Sequence, residues 1–244
     1  MNDKLNEYLF KTINDERKPY DKKIRKVGYL LSLKADANFE KDGNSVLRTA
    51  AFRGEKEIVE MLLQNGARID DKSKTGLTAL GFALMRCHND VAKLLIEKGA
   101  DVNMSNPWGY SILMNTCNYG NIEGVRLLIN NGVNVNQGNF VSETALMVAA
   151  SEGEAEIVKL LLERGADINA CNHIYMTPLM KGVEGRDKQV VEILLKNGAD
   201  VEAINRKGET VFDLVLDEDI KKLLLEHRDS AFKRFIKQFK GKDW

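Results

Sequence analysis

The sequence predicts an all-α solenoid of stacked two-helix units, and three observations carry that expectation. Glycines close successive units at Gly66, Gly99, Gly132, Gly165 and Gly198, each 33 residues after the last. A hydroxyl residue opens each first helix: Ser45, Thr78, Ser111, Thr144, Thr177 and Thr210. Between these markers an apolar run such as Ile157 to Leu162 recurs at helical spacing. Five full units follow: Lys41–Ser73, Lys74–Asn106, Pro107–Asn139, Phe140–Asn172 and His173–Asn205.

The copy at Phe140–Asn172 shows why one unit folds. Thr144 is an N-cap whose hydroxyl can accept from an amide of the first turn, and in the next copy Pro178 follows the cap, where its missing N–H costs nothing. The short first helix carries Ala149 and Ala150, matched by Ala50 and Ala51, small enough to let neighbouring units approach. Ser151-Glu152-Gly153 makes the turn, and the second helix, about Glu156 to Glu163, aligns Ile157, Leu160 and Leu161 on one face. Gly165 ends it with the left-handed conformation a C-cap wants. Asp167 and Asn169 suit the loop beyond, since their side chains can bond nearby amides.

Taken in order, residues 1–40 read as a degenerate N-terminal capping repeat. Leu5, Tyr8, Leu9 and Ile13 form one helical stripe, Lys18-Pro19 breaks it, and a second helix from about Lys22 carries Ile24, Val27, Leu30 and Leu31. Lys34 then stands where later copies have Gly. Within 41–205 the third repeat has Cys87-His88-Asn89 at the inter-helix turn, and the fourth has Gly124 where its neighbours show Ile58, Val91, Ile157 and Val190. A helical Gly costs about 1 kcal/mol against Ala and removes a core side chain, so either a small cavity or a larger neighbour is expected there. The tips Phe140-Val141-Ser142 and His173-Ile174-Tyr175-Met176 lack the Gly present at Gly43, Gly76, Gly109 and Gly208. Residues 206–227 form a truncated repeat with a second helix at Ile220–Glu226, three residues early. Residues 228–244 read as an amphipathic capping helix, with Phe232, Phe235, Ile236 and Phe239 on one face and Lys233, Arg234, Lys237 and Lys240 on the rest.

A period of 33 with these markers resembles the ankyrin repeat. The resemblance implies a β-turn finger and two antiparallel helices per unit, and a concave side lined by fingertips and first helices that binds other proteins. One feature departs from the family pattern. Where the family usually has Thr-Pro-Leu-His, the fourth position is Arg48, Gly81, Met114, Met147, Met180 and Asp213. The Met residues read as packing filler in place of a polar network.

Composition narrows the function. Lys+Arg and Asp+Glu are both 36, leaving no net field for a polyanion, so no nucleic-acid partner is expected. No apolar run approaches a membrane span, and the start MNDKLNEYLF lacks the basic-then-apolar layout of a secretory signal. Cys87, Cys117 and Cys171 are odd in number and far apart, which favours a reducing compartment. The location expected is cytoplasmic, or a host cytosol were the chain a bacterial effector. His88, His173 and His227 lie in different units with no ligand at metal spacing, and the glycines are spread one per turn rather than gathered in a phosphate loop. Glu57, Asp90, Glu123 and Glu156 recur near the start of each second helix, as dipole compensation would place them. No catalytic site, metal or cofactor is expected.

A binding surface is expected instead. Repeats 4 to 6 line up Trp108, Tyr110, Tyr119, Phe140, Val141, Ile174, Tyr175 and Met176, with Arg53 and Arg86 at the ends of earlier first helices. A contiguous apolar patch marks an interaction site, and Trp, Tyr and Arg are enriched at binding hot spots. The competing reading folds these side chains inward between fingers. The function expected is a non-enzymatic adaptor, inhibitor or effector scaffold that holds another protein. The alternative is a membrane-peripheral protein using the basic, Phe-rich C-terminal helix. Arrays capped at both ends are expected to be monomeric.

Overall fold

The computed structural model describes residues 2–239, with side chains from 3 to 230. The chain divides into two compact units, Met1–Val133 and Asn134–Trp244. The first holds α1 (Asn2–Asn14), α2 (Tyr20–Ser32), β1 (Glu40–Lys41), β2 (Asn44–Ser45), α3 (Val46–Phe52), α4 (Lys56–Gln64), α5 (Ala79–Met85), α6 (Asn89–Glu97), α7 (Ile112–Asn118) and α8 (Ile122–Asn130). The second holds α9 (Ala145–Ser151), α10 (Ala155–Glu163), α11 (Pro178–Gly185), α12 (Lys188–Lys196), α13 (Val211–Leu214) and α14 (Glu218–Phe239).

Within each unit, first helices pack on first helices and second on second. In the first, α1, α3, α5 and α7 make one layer and α2, α4, α6 and α8 the other. In the second, α9, α11 and α13 face α10, α12 and α14. The sequence dictates this. Ala50, Ala51, Ala149 and Ala150 are fully buried at the contacts between first helices. A Cβ at Gly185 would lie 2.4 Å from the Ser151 carbonyl oxygen, which leaves room for nothing but hydrogen where α11 meets α9. Ile58, Val91, Ile157 and Val190 fill the inner face of the second helices with at most 1% exposure.

The expected caps are all present. Ser45, Thr78, Ser111, Thr144 and Thr177 each accept from the amide three residues on, at 3.2 to 3.4 Å. Thr210 forms a capping box with Asp213. Each such cap stabilises its helix by about 1 kcal/mol. Met114, Met147 and Met180 are fully buried. They are packing residues, as expected.

Gly124 resolves in favour of a larger neighbour. Asn121 fills the space: its Oδ1 accepts from the Gly124 amide at 2.9 Å, and its Nδ2 donates to the Leu84 carbonyl and to Asn89 Oδ1, both at 2.8 Å. A Cβ at 124 would stand 2.6 Å from Asn121 Nδ2 and 2.8 Å from Leu84 Cδ2.

At the N-terminus the two expected helices form and pack on each other. Lys34 holds φ at 69°, the left-handed value that the closing Gly holds in later copies. At the C-terminus the helix at Ile220–Glu226 and the helix from Arg228 are one, α14, because no Gly or Pro interrupts His227-Arg228-Asp229-Ser230. It starts three residues earlier than α12 would by the period, as expected, and buries Ile220 and Leu224. The side chains of the expected Phe face, Phe232, Phe235, Ile236 and Phe239, and the whole of segment 240–244 lie outside what the structure describes.

The Asn121 network makes a prediction of unusual sign. Helix propensity alone would have Gly124→Ala add about 1 kcal/mol of stability. Overpacking against Asn121 and Leu84 should instead remove about 2 kcal/mol, read as a lower urea midpoint at unchanged m.

Candidate protein-binding surface

Four of the fingertips are each built around an Asn at the end of the preceding repeat. Asn106 Oδ1 accepts from the amides of Trp108 and Tyr110 at 3.0 and 2.9 Å. Asn139 does the same for Val141 and Glu143, Asn172 for Ile174 and Met176, and Asn205 for Lys207 and Glu209. This side-chain clamp, a local competitor of regular structure, curls the backbone and turns the intervening residues outward. The turn also needs a left-handed residue. Gly43, Gly76, Gly109 and Gly208 supply it, while Ser142 and Tyr175 adopt φ of 59° and 58° without being Gly. The first finger is the β1–β2 hairpin, whose Asp42-Gly43 tip has both φ positive, as a type I′ turn requires.

The expected site residues divide by unit. In the second unit Phe140 is 71% exposed, Val141 52%, Ile174 51% and Tyr175 56%. Their fingers are joined: the His173 amide donates to the Val141 carbonyl and the Arg206 amide to the Ile174 carbonyl, both at 2.9 Å. Four large apolar side chains therefore stand on two bonded fingers. Met176 corrects the expectation. It is buried, with its Sδ 3.7 Å from Asn205 Nδ2, because it is the last residue before the Thr177 cap and points into the stack. In the first unit Trp108 is 62% exposed and Tyr119 49% exposed, while Tyr110 is half-buried.

Arg53 also leaves the set of free groups. Its guanidinium donates to Glu16 at 2.9 Å and to the Asn14 carbonyl at 3.1 Å, tying α3 to the end of α1. Arg86 is exposed, 5.0 Å over the ring of Phe52, which meets Phe82 edge-on at 6.0 Å.

Two features were not foreseen. Arg48, in the position where the family has His, is buried and paired with Asp71 and with Glu40 (3.2 Å), and also donates to the Gly43 carbonyl. With Phe10, Phe52 and Phe82 it lines a groove of about 270 Å³. Lys23 is buried against Glu55 at 2.5 Å and also donates to the Ile13 carbonyl. A signal for Lys23 existed, since it falls four residues before Val27 on the apolar stripe of α2.

Among the described residues no group of three or more His, Cys, Asp or Glu side chains could hold a metal. Burial, then a 2.7 Å hydrogen bond to the Glu57 carboxylate, pushes the Tyr20 hydroxyl far above its ordinary pKa. That same bond holds Glu57 below the usual carboxylate range, so the pair is a fixed brace between α2 and α4. His88 packs its ring over Gly54, with Nε2 3.1 Å from the Phe52 carbonyl.

Comparison with known proteins agrees with this geometry. A family model described as ankyrin repeats (3 copies) matches residues 20–106 and 99–172, and one described as ankyrin repeat matches 175–206. The first match begins with α2 and leaves α1 outside it. The crystal structure of the human ASB11 ankyrin repeat domain superposes with a TM-score of 0.79, at 23% identity, covering 91% of this chain and 96% of that one. At that identity the likeness shows the fold alone. No curated sequence is significantly similar.

The fingertip geometry is testable by stability. Ser142→Gly should raise stability by about 0.5 kcal/mol, relief of left-handed strain offset by unfolded-chain entropy. Ser142→Val, β-branched at a positive φ, should lower it by about 1–2 kcal/mol. Equal urea midpoints for the two variants would show that the finger does not hold that backbone.

Proposed function

This chain belongs to the ankyrin-repeat family, whose repeats serve as protein–protein interaction modules, and from that premise we propose that it is a non-enzymatic adaptor, inhibitor or effector scaffold whose fingertips and first-helix ends hold a partner protein. The observation that supports the reading most is the exposure of Phe140, Val141, Ile174 and Tyr175 on two hydrogen-bonded fingers. A fingertip needs none of those side chains to fold. The Asn clamps act through backbone amides, and the cores are filled by the helices. Large apolar groups left in water at a cost of roughly 25 cal/mol per Å² are expected where a partner covers them.

Trp108 and Tyr119 in the first unit extend the same chemistry, an aromatic anchor with a polar atom at its edge. Arg86 adds a cation whose side chain is already ordered against Phe52, so less entropy is lost when it meets an acceptor. No helix of the described residues is long and apolar enough to cross a membrane. We read the compartment as cytoplasmic, since Cys87, Cys117 and Cys171 form no disulfide among the described residues.

The experiment is quantitative affinity capture followed by titration of the captured protein. Phe140→Ala with Tyr175→Ala, and separately Trp108→Ala, should each weaken binding about tenfold or more, as hot-spot truncations do. Thermal midpoints should move little, because exposed substitutions change stability by about 0.5 kcal/mol or less. A partner that binds all three proteins equally would remove the fingertips from the reading.

A further inference from the structure

The chain as a whole is neutral, yet its N-terminal repeat is not. Between α1, the loop after it, α2 and the start of the first finger lies a groove of about 750 Å³. Its wall carries Lys11, Arg17, Lys18, Lys26 and Lys41 against Asp15 and Glu16. The ion pairs explain how this imbalance is held. Glu7, at the rim, is shared by Lys41 at 3.0 Å and Lys11 at 3.5 Å. Asp15 is shared by Lys18 at 3.2 Å and Arg17 at 3.5 Å. Glu16, which also lines the groove, pairs with Arg53 at 2.9 Å. Glu7 and Asp15 are thus each divided between two cations, and Lys26 forms no ion pair among the described residues. The bonds from Lys41 to Glu7, and from the Arg17 amide and Lys18 to Asp15, hold both carboxyls below the usual carboxylate range, so they stay ionised and the count of charges is fixed through the neutral region. A terminal repeat must be polar on its outer face, but capping does not call for one sign of charge.

We propose that this groove is a second binding site, for an acidic segment of a partner protein, whose carboxylates complete the coordination of Lys11, Lys18, Lys26 and Lys41. The proposal rests on the protein-binding reading only for the class of ligand. The geometry favours a short peptide over a nucleic acid. The volume is that of a pocket for a few side chains. Single strands bind through aromatic platforms that stack successive bases, and here one face of the Tyr8 ring is covered by the Lys26 ammonium at 5.7 Å from its centre. Carboxylates of an extended acidic peptide can each bridge two of the ammonium groups, as Glu7 already does.

The probe is N-acetyl-tetraglutamate amide, titrated calorimetrically into the full chain at low salt. Binding should be present, weaken at least about tenfold in Lys11→Glu/Lys26→Glu, and fall away as the Debye length shortens from roughly 14 to 4 Å. Glu7→Gln, which releases Lys11 and Lys41 from their shared carboxylate, should tighten binding by about threefold, a gain that a merely structural Glu7 would not give. Trp108→Ala should bind the peptide as the unaltered chain does, so that failure here and failure of the fingertip reading are told apart. Equal affinity in the charge-reversed variant, an unchanged or weaker Glu7→Gln, or tighter binding of hexauridylate with the same lysine dependence would each overturn the proposal.

Discussion

Three times in each of the five full repeats the backbone must pass through left-handed φ, and the rest of the structure depends on that constraint. It occurs at the fingertip, at the turn between the two helices, and at the residue closing the second helix. Gly satisfies it at Gly43, Gly54 and Gly66 in one copy and at Gly109, Gly120 and Gly132 in another. Without a Cβ these turns cost little. Elsewhere the chain accepts Lys34, Cys87, Ser142, Tyr175 and Arg186 at φ between 57° and 69°. A left-handed L-residue costs roughly 1–2 kcal/mol, so the surrounding contacts must over-determine those positions. Two of the five, Ser142 and Tyr175, sit on the fingers that also present exposed apolar groups.

Coupling between repeats follows from the same geometry. Returning the chain to an equivalent place every 33 residues sets Asn38 to accept from the Arg68 amide, Asn136 from Asp167 and Asn169 from Asp200, at 2.8 to 2.9 Å. Each repeat satisfies backbone donors of the next. Below these bonds, the apolar faces of the second helices cover one another. Stability then behaves as a sum of local and neighbour contributions.

How much was legible depended on whether a residue acts through the period or against it. The helix pairs, the caps at Ser45 to Thr210 and the closing glycines could be read because the same residue type recurs at the same register. The ion pairs of Lys23 with Glu55 and of Arg48 with Asp71 could not, because each occurs in one copy only, although the place of Lys23 on the apolar stripe of α2 marked it for burial. Met176 was misplaced by one register position. The finger turns its neighbours out, and Met176, next to the cap, turns in. The one long helix α14 was divided in two by following the period past the point where the sequence stopped obeying it. At Gly124 the sequence showed that something was missing, and only the packing showed that Asn121 supplies it.

The reading of function joins these levels: turns fixed by local chemistry, stacking that needs only helices, and finger side chains left without an internal role. Hydrogen–deuterium exchange on the chain with and without its captured partner tests this most directly. The account expects slowed exchange at the amides around Trp108, Phe140–Ser142 and His173–Tyr175, with the outer helices α10 and α12 unchanged. Protection confined to α10 and α12, with the fingers exchanging as in the free chain, would contradict it.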